Sequence, residues 1–389
     1  MARRKTFQEA MQLVQLPSTV PPPSATSPDN TVTRYMSQAP AWLPGSDLQA
    51  EMRQLSDGRP GFPVYANAFG GHVYAQSVLA VCKSLESTIA ENNLGLHTIH
   101  GYFTAAGRPD RPFVYEVAVL TRGRSFLTAR VEARQPLRAT RPTVDKESFI
   151  LAEDTVFEEG DLGDLGFVCF TAIVSFVLPR PHSMGADRQE ESVQRRFASI
   201  LSQRAPASWD PSPPVDMDVL IATLDIRHIV GTFPMVDMKK VDMTAYNEDR
   251  PLHERRDLIL YRLLAPLPSA TAQDQNNHVL VHAYAADRNG LLMAANHLEF
   301  PINDKTASMS NTFVVHTNVA DAQMVYRPHA ETDNALDGWW IQEMCFPRAA
   351  AGRAIILNKI WSPSGVHVAT EYQDGLCTAM EKAAFSFHL

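Results

Sequence analysis

The stretch Phe69-Gly70-Gly71-His72-Val73-Tyr74-Ala75-Gln76-Ser77-Val78-Leu79-Ala80-Val81 opens on glycines and continues as an apolar segment with small residues at helical spacing. That pattern predicts a helix. The second half of the chain answers with Asn276-Asn277-His278-Val279-Leu280-Val281-His282-Ala283-Tyr284-Ala285-Ala286-Asp287, where an Asn is placed to cap the start of a similar helix. After each comes a β-branched or aromatic segment containing histidine, Leu96 to Phe103 and Asn311 to His316. A hairpin follows in both halves. In the first it runs Phe113 to Leu120, a turn at Thr121-Arg122-Gly123-Arg124, then Ser125 to Arg134. In the second it runs Trp339 to Phe346, a Gly352-Arg353 turn, then Ala354 to Trp361. A last strand is expected near Ala172 to Leu178 and near Val366 to Tyr372. Because the elements recur in the same order, the fold class is α+β, with one unit duplicated and each copy a helix lying on an antiparallel sheet.

Outside the two copies, Pro17, Pro21, Pro22, Pro23, Pro28, Pro40 and Pro44 stand among Ser and Thr. This composition predicts an irregular arm over 1–45. A second break runs from Pro179-Arg180-Pro181 to Pro211-Ser212-Pro213-Pro214, with helical spacing over Glu190 to Gln203. The expected division is therefore an arm at 1–45, a first unit at 46–180, a connection at 181–215 packed on the surface, and a second unit at 216–389.

With 389 residues, 45% hydrophobic and 20% charged, the chain has ample material for a buried core. Its 35 basic against 43 acidic residues give a net charge of −8, so nucleic acid is not an expected partner. The four cysteines, Cys82, Cys169, Cys345 and Cys377, form no C-x-x-C pair, which argues against a zinc module or a disulfide framework. No apolar run is long enough to span a membrane. The basic start, Met1-Ala2-Arg3-Arg4-Lys5, leads into Phe7-Gln8-Glu9-Ala10 and not into a signal-peptide core. The end, Phe385-Ser386-Phe387-His388-Leu389, lacks the Ser-Lys-Leu address. An intracellular location, cytoplasmic or peroxisomal, is expected.

No G-x-S-x-G, G-x-x-x-x-G-K-[ST] or G-x-G-x-x-G occurs, and His253-Glu254-Arg255-Arg256-Asp257 puts Asp where the second His of a zinc motif would stand. Neither a metal nor a cofactor is expected. Three polar positions in the second copy could carry chemistry. Asp287 ends the apolar run Val279 to Ala286, where burial would raise its pKa and suit it to act as a base; a solvated helix residue is the plain alternative. Ser308, placed just before the strand opening near Thr312, could orient a water or close a turn. Gln373, placed at a strand end, could fix a water through its uncharged amide or lie on a sheet face.

Taken together these segments resemble the acyl-CoA thioesterase II family, whose members carry two fused hotdog folds. Phe69-Gly70-Gly71-His72-Val73 with Gln76 is similar to the family's F-G-G-x-V-x-x-Q, and His97 to Phe103 to its H-S-x-H-x-Y-F. Gly123-Arg124-Ser125-Phe126 matches the end of R-x-G-x-S-F, with Thr121 in place of the opening Arg. Tyr284-Ala285-Ala286-Asp287 resembles Y-x-S-D, Ala307 to Thr312 falls at A-[ST]-x-D-H-[ST], and Val368 to Gly375 resembles V-A-[ST]-x-x-Q-[DE]-G. Ser310 and Asn311 replace the usual Asp-His pair, and Thr317 to Asp337 is longer and more polar than the family's connection there.

The resemblance implies a tandem hotdog that hydrolyses acyl-CoA to free acid and CoA, with Asp287, Ser308 and Gln373 catalytic and no covalent intermediate required. Gly70, Gly71, Arg122, His316 and Arg353 are the candidate substrate-binding residues, the arginines as local groups for CoA in a chain of net negative charge. A homo-oligomer is expected. Two other readings stay open: a hotdog dehydratase or hydratase acting on a thioester, and a non-catalytic acyl-CoA-binding protein.

Overall fold

The computed structural model describes residues 3–19, 32–48, 67–144, 150–181, 188–298, 303–327 and 336–379. In the first half, β1 (Leu13–Thr19), β2 (Val32–Ser37), the helix α1 (Gly70–Ser84), β3 (Gly95–Phe103), β4 (Val114–Arg122), β5 (Phe126–Pro136) and β6 (Leu165–Val177) follow in order. The second half has β7 (Asp210–Pro211), β8 (Val236–Lys240), β9 (Arg256–Leu263), the helices α2 (Ala272–Ala286) and α3 (Gly290–His297), then β10 (Asn303–Val315), β11 (Trp340–Ala350), β12 (Arg353–Trp361) and β13 (His367–Ala379). Short helical turns lie between them.

Among the described residues one sheet holds these strands in the order β1-β2-β4-β5-β6-β3-β10-β13-β12-β11-β9-β8-β7. Read outward from its centre, each half repeats one order, β3-β6-β5-β4-β2 against β10-β13-β12-β11-β9. Duplication is thus visible in the topology. The halves join by antiparallel pairing of β3 with β10, from Tyr102 opposite Ser310 to Thr98 opposite Val314.

Residues Gly71 to Cys82 of α1 are all buried, and α2 is buried from His278 to Ala286, so both are central helices with the sheet around them. Their apolar side chains belong to one core with the strands of both halves. The helices run antiparallel: a Cβ on Gly71 at the start of α1 would stand 2.8 Å from the Tyr284 carbonyl near the end of α2. At the opposite end, Asn276 Oδ1 accepts from Leu96 N at 2.7 Å and its Nδ2 donates to Leu94 O at 3.2 Å.

Several sequence expectations are corrected. Asn276 is not a cap: α2 starts a turn earlier, where Thr271 and Asp274 form a capping box. Nor is the arm irregular throughout, since its described part supplies β1 and β2, and β2 opens the first half's sheet as β9 opens the second's. Pro17 lies within β1, an edge strand, where a missing N–H is tolerated. Ser308 lies inside β10, beside an irregularity that places Ser308 opposite Gly375 and Ser310 opposite Asp374. Gln373 sits in mid-strand, opposite Asn311 on β10 and Ile356 on β12.

Residues 188–215 lie against the outer side of the second half's sheet. Their helical turns at Val193–Arg196 and Ala198–Leu201 lay Val193, Phe197 and Leu201 against Leu258, Leu260, Ile341 and Trp361. Ile259 and Tyr261 of β9 face the central core instead, so that strand is covered on both sides. The β11–β12 turn is Ala351-Gly352, both at positive φ as a two-residue type I′ turn requires. No helix among the described residues is long and apolar enough to cross a membrane. The carboxyl-terminal Phe385 to Leu389 lies outside the described residues.

Candidate active site

The end of α2 meets the start of α1, and Asp287 stands at that junction. It is the residue after the last turn of α2, and it is buried. Three side chains converge on its Oδ1: Gln373 Nε2 at 2.6 Å, Ser308 Oγ at 3.0 Å and Asn311 Nδ2 at 3.1 Å. Gln373 Nε2 also donates to Ser308 Oγ at 2.8 Å, which leaves the hydroxyl O–H to donate its hydrogen bond to the carboxylate. The other oxygen, Oδ2, would lie 2.9 Å from a Cβ on Gly70, and the backbone N–H of Gly71 bonds to the carboxylate. Glycine is required at 70 because any side chain would press on Oδ2.

Burial pushes the Asp287 carboxyl up to about 6, while the donors from Asn311, Ser308, Gly71 and Gln373 oppose the shift. The ends of two helices act here in opposite senses: the positive end of α1 favours the anion and the negative end of α2 disfavours it. The second effect is muted, because Gln342 Nε2 and Asn358 Nδ2 both donate to the Ala286 carbonyl, at 3.0 and 3.2 Å. Asn358 Nδ2 also donates to Glu371 Oε2 at 2.7 Å, and Asn311 Nδ2 reaches Glu371 Oε1 at 3.3 Å. Glu371 is fully buried, and burial followed by the nearby Asp287 charge pushes it well above the carboxylate range.

Asp287, Ser308 and Gln373 line a pocket of about 430 Å³ with Trp42, Phe69, Gly70, Phe103, Phe113 and Leu291 among its walls. Most of its surface is apolar, and its size suits a small-molecule site. Of the expected binding residues, Gly70 and Gly71 are at the carboxylate. The other three do not line this pocket. Arg122 is exposed at the end of β4, His316 bonds to Thr370 Oγ1 at 2.8 Å and packs on His367, and Arg353 pairs with Asp374 at 3.5 Å. Sequence reasoning missed Glu371, Asn358 and Gln342, and read Asn311 only as a departure. The available signal was polar residues inside runs otherwise built for burial, such as Asn358 between Leu357 and Ile360. Among the described residues no cluster of His, Cys, Asp or Glu could hold a metal.

Comparison with known proteins bears on the amino-terminal half in sequence and on the whole chain in fold. Residues 59–177 match the family of the acyl-CoA thioesterase N-terminal domain. A 71-residue stretch is 35% identical to acyl-CoA thioesterase 2 of Haemophilus influenzae, covering 18% of this chain and 23% of that protein. A 73-residue stretch is 33% identical to acyl-coenzyme A thioesterase 8 of Mus musculus, covering 19% and 21%. These alignments span less than a quarter of the curated relatives' length. In fold the likeness spans nearly the whole length: the crystal structure of an acyl-CoA thioesterase II from Mycobacterium marinum covers 96% of this chain and 99% of its own, with a TM-score of 0.54 at 20% identity. Residues 59–177 thus match the acyl-CoA thioesterase N-terminal domain family in sequence, and the chain as a whole has the double hotdog fold.

Proposed function

We propose that the protein hydrolyses acyl-CoA thioesters to the free acid and CoA, with Asp287 as general base. The observation that carries this reading is a buried carboxylate with one oxygen pinned by three neutral donors and the other beside the first turn of α1. No cation pairs with it among the described residues, so its basicity is not spent on an ion pair.

In this reading a water stands between Asp287 Oδ2 and Gln373 Oε1, an oxygen with no hydrogen-bond partner among the described residues. Asp287 takes a proton from that water as its oxygen bonds to the thioester carbon. The carbonyl oxygen gains the negative charge and is met by N–H groups at the positive end of α1, next to Gly70 and Gly71. Collapse breaks the C–S bond, and the proton held by Asp287 goes to the departing thiolate. Acid and CoA thiol leave. Ser308 and Gln373 hold the base and the water; neither forms a covalent bond.

Asn311 bears on the non-catalytic alternative. It stands where the family motif has His, and it still supplies a donor to the base. Incubation with an acyl-CoA series followed by mass spectrometry separates the three readings. Free acid and CoA support hydrolysis, an intact thioester changed by one water supports a hydratase or dehydratase, and unchanged acyl-CoA supports binding alone.

A further inference from the structure

Arg288 follows the base in sequence and has no part in the steps above. It is 4% exposed and lines the same pocket. Its Nη2 donates to the carbonyls of Ser212 and Pro213, each at 3.1 Å, and its Nη1 to the Met238 sulfur at 3.6 Å. The guanidinium lies 4.1 Å from the centre of the Phe233 ring and 5.9 Å from that of Trp42. All of these partners are neutral. Nε has no hydrogen-bond partner among the described residues, and no ion pair joins Arg288 to a carboxylate, Asp287 included. Asp47 and Asp216 act only from farther off, while Arg4 adds a second positive charge to the neighbourhood. Burial, then Arg4, bring its pKa down to about 9, which leaves the side chain charged at neutral pH. A buried cation without a counter-charge is costly to keep, and one that lines a pocket is positioned to be paired by what enters.

We propose that Arg288 receives a carboxylate borne by the acyl group, so that the preferred substrates are CoA thioesters of short dicarboxylic acids. The inference rests on the thioesterase reading. CoA's own phosphates are a poor match, because the pantetheine arm separates them from the thioester, whereas Arg288 adjoins the residue at which the thioester must stand.

The test pairs probes of equal chain length, adipoyl-CoA with hexanoyl-CoA and glutaryl-CoA with pentanoyl-CoA, and reads the ratio of kcat/KM within each pair. Wild type should favour the dicarboxylic member, and Arg288→Met should lower that ratio by about tenfold or more, as loss of a charged hydrogen bond implies. Arg288→Lys should restore part of it. A ratio unchanged by Arg288→Met, with both substrates slowed alike, would show that Arg288 only ties down the segment at Ser212 and overturn the proposal; so would a wild-type preference for the monocarboxylic member of both pairs. Binding of two thioether analogues, hexyl-CoA and 5-carboxypentyl-CoA, reads the same preference without turnover. If no thioester is cleaved yet the carboxylated analogue binds tighter through Arg288, the hydrolytic reading fails and the anion site stands.

Discussion

Asp287 and Glu371 are two buried carboxyls joined through one amide nitrogen, Asn311 Nδ2, which lies 3.1 Å from Asp287 Oδ1 and 3.3 Å from Glu371 Oε1. Two negative charges held this close with no cation between them are unfavourable, so one proton is retained. Glu371 keeps it, since burial and the Asp287 charge both push its carboxyl up. Asp287, held by more donors, is the one that ionises.

If Glu371 works as a neutral acid, Glu371→Gln should keep kcat/KM within about threefold of wild type at a stability cost of about 1 kcal/mol, since Nε2 cannot accept from one of the two amides that the carboxyl oxygens serve. Glu371→Leu should cost about 1–3 kcal/mol in urea denaturation, because it leaves the amides of Asn311 and Asn358 without their acceptor.

The raised pKa of Asp287 gives two linked pH effects. Activity needs the ionised base, so kcat/KM should rise with pH through an apparent pKa near 6. Stability should move the other way. The folded-state value lies above the unfolded one, so this group's contribution is full below about pH 4 and is lost as pH rises through about 6, a change on the order of 3 kcal/mol. Denaturation of wild type and Asp287→Asn across that window should show the decline in wild type only.

Gly70→Ala would place a Cβ 2.9 Å from Asp287 Oδ2 and 3.2 Å from the Phe103 ring. Overpacking of this kind costs about 1–3 kcal/mol, and here the strain falls on the base itself. We expect a folded protein with turnover reduced by tenfold or more; an unchanged kcat would place the reacting water away from Oδ2.

Far from the pocket, Arg196 grips the buried Glu343 with two bonds of 2.7 and 2.6 Å, and Trp361 Nε1 adds a third at 3.1 Å. Burial pushes the Glu343 carboxyl up, but the Arg196 pair outweighs it and holds the group below its ordinary range. Arg196→Ala leaves the buried Glu343 with only the 3.7 Å pair to Arg256 and the Trp361 N–H, and should cost on the order of 3 kcal/mol of stability, read from the urea midpoint.

Much of this architecture can be read in the chain because it is written locally. The run from Gly70 to Val81 and the run ending at Asp287 show helical spacing over enough residues to be unmistakable, and each strand pair is marked by a turn. The strand β2 is hidden because its six residues follow a Pro- and Ser-rich segment and depend on β4 for pairing. Ser308 and Gln373 read as strand-end residues because β10 and β13 carry polar residues in their middles; Asp287, next to the end of a neighbouring helix, satisfies those side chains. The partnership of Asn311 with Glu371 and the unpaired state of Arg288 depend on contacts across the sheet and across the connection, which no local pattern encodes.

The central claim is that Asp287 drives thioester hydrolysis, and release of CoA thiol from acyl-CoA by wild type and Asp287→Asn at pH 7.5 tests it most directly. Asn keeps the size and an acceptor oxygen but cannot take a proton, so the account predicts a drop in kcat of about 10²–10⁴-fold in a variant that is folded and at least as stable as wild type. Undiminished thiol release by that variant would contradict it.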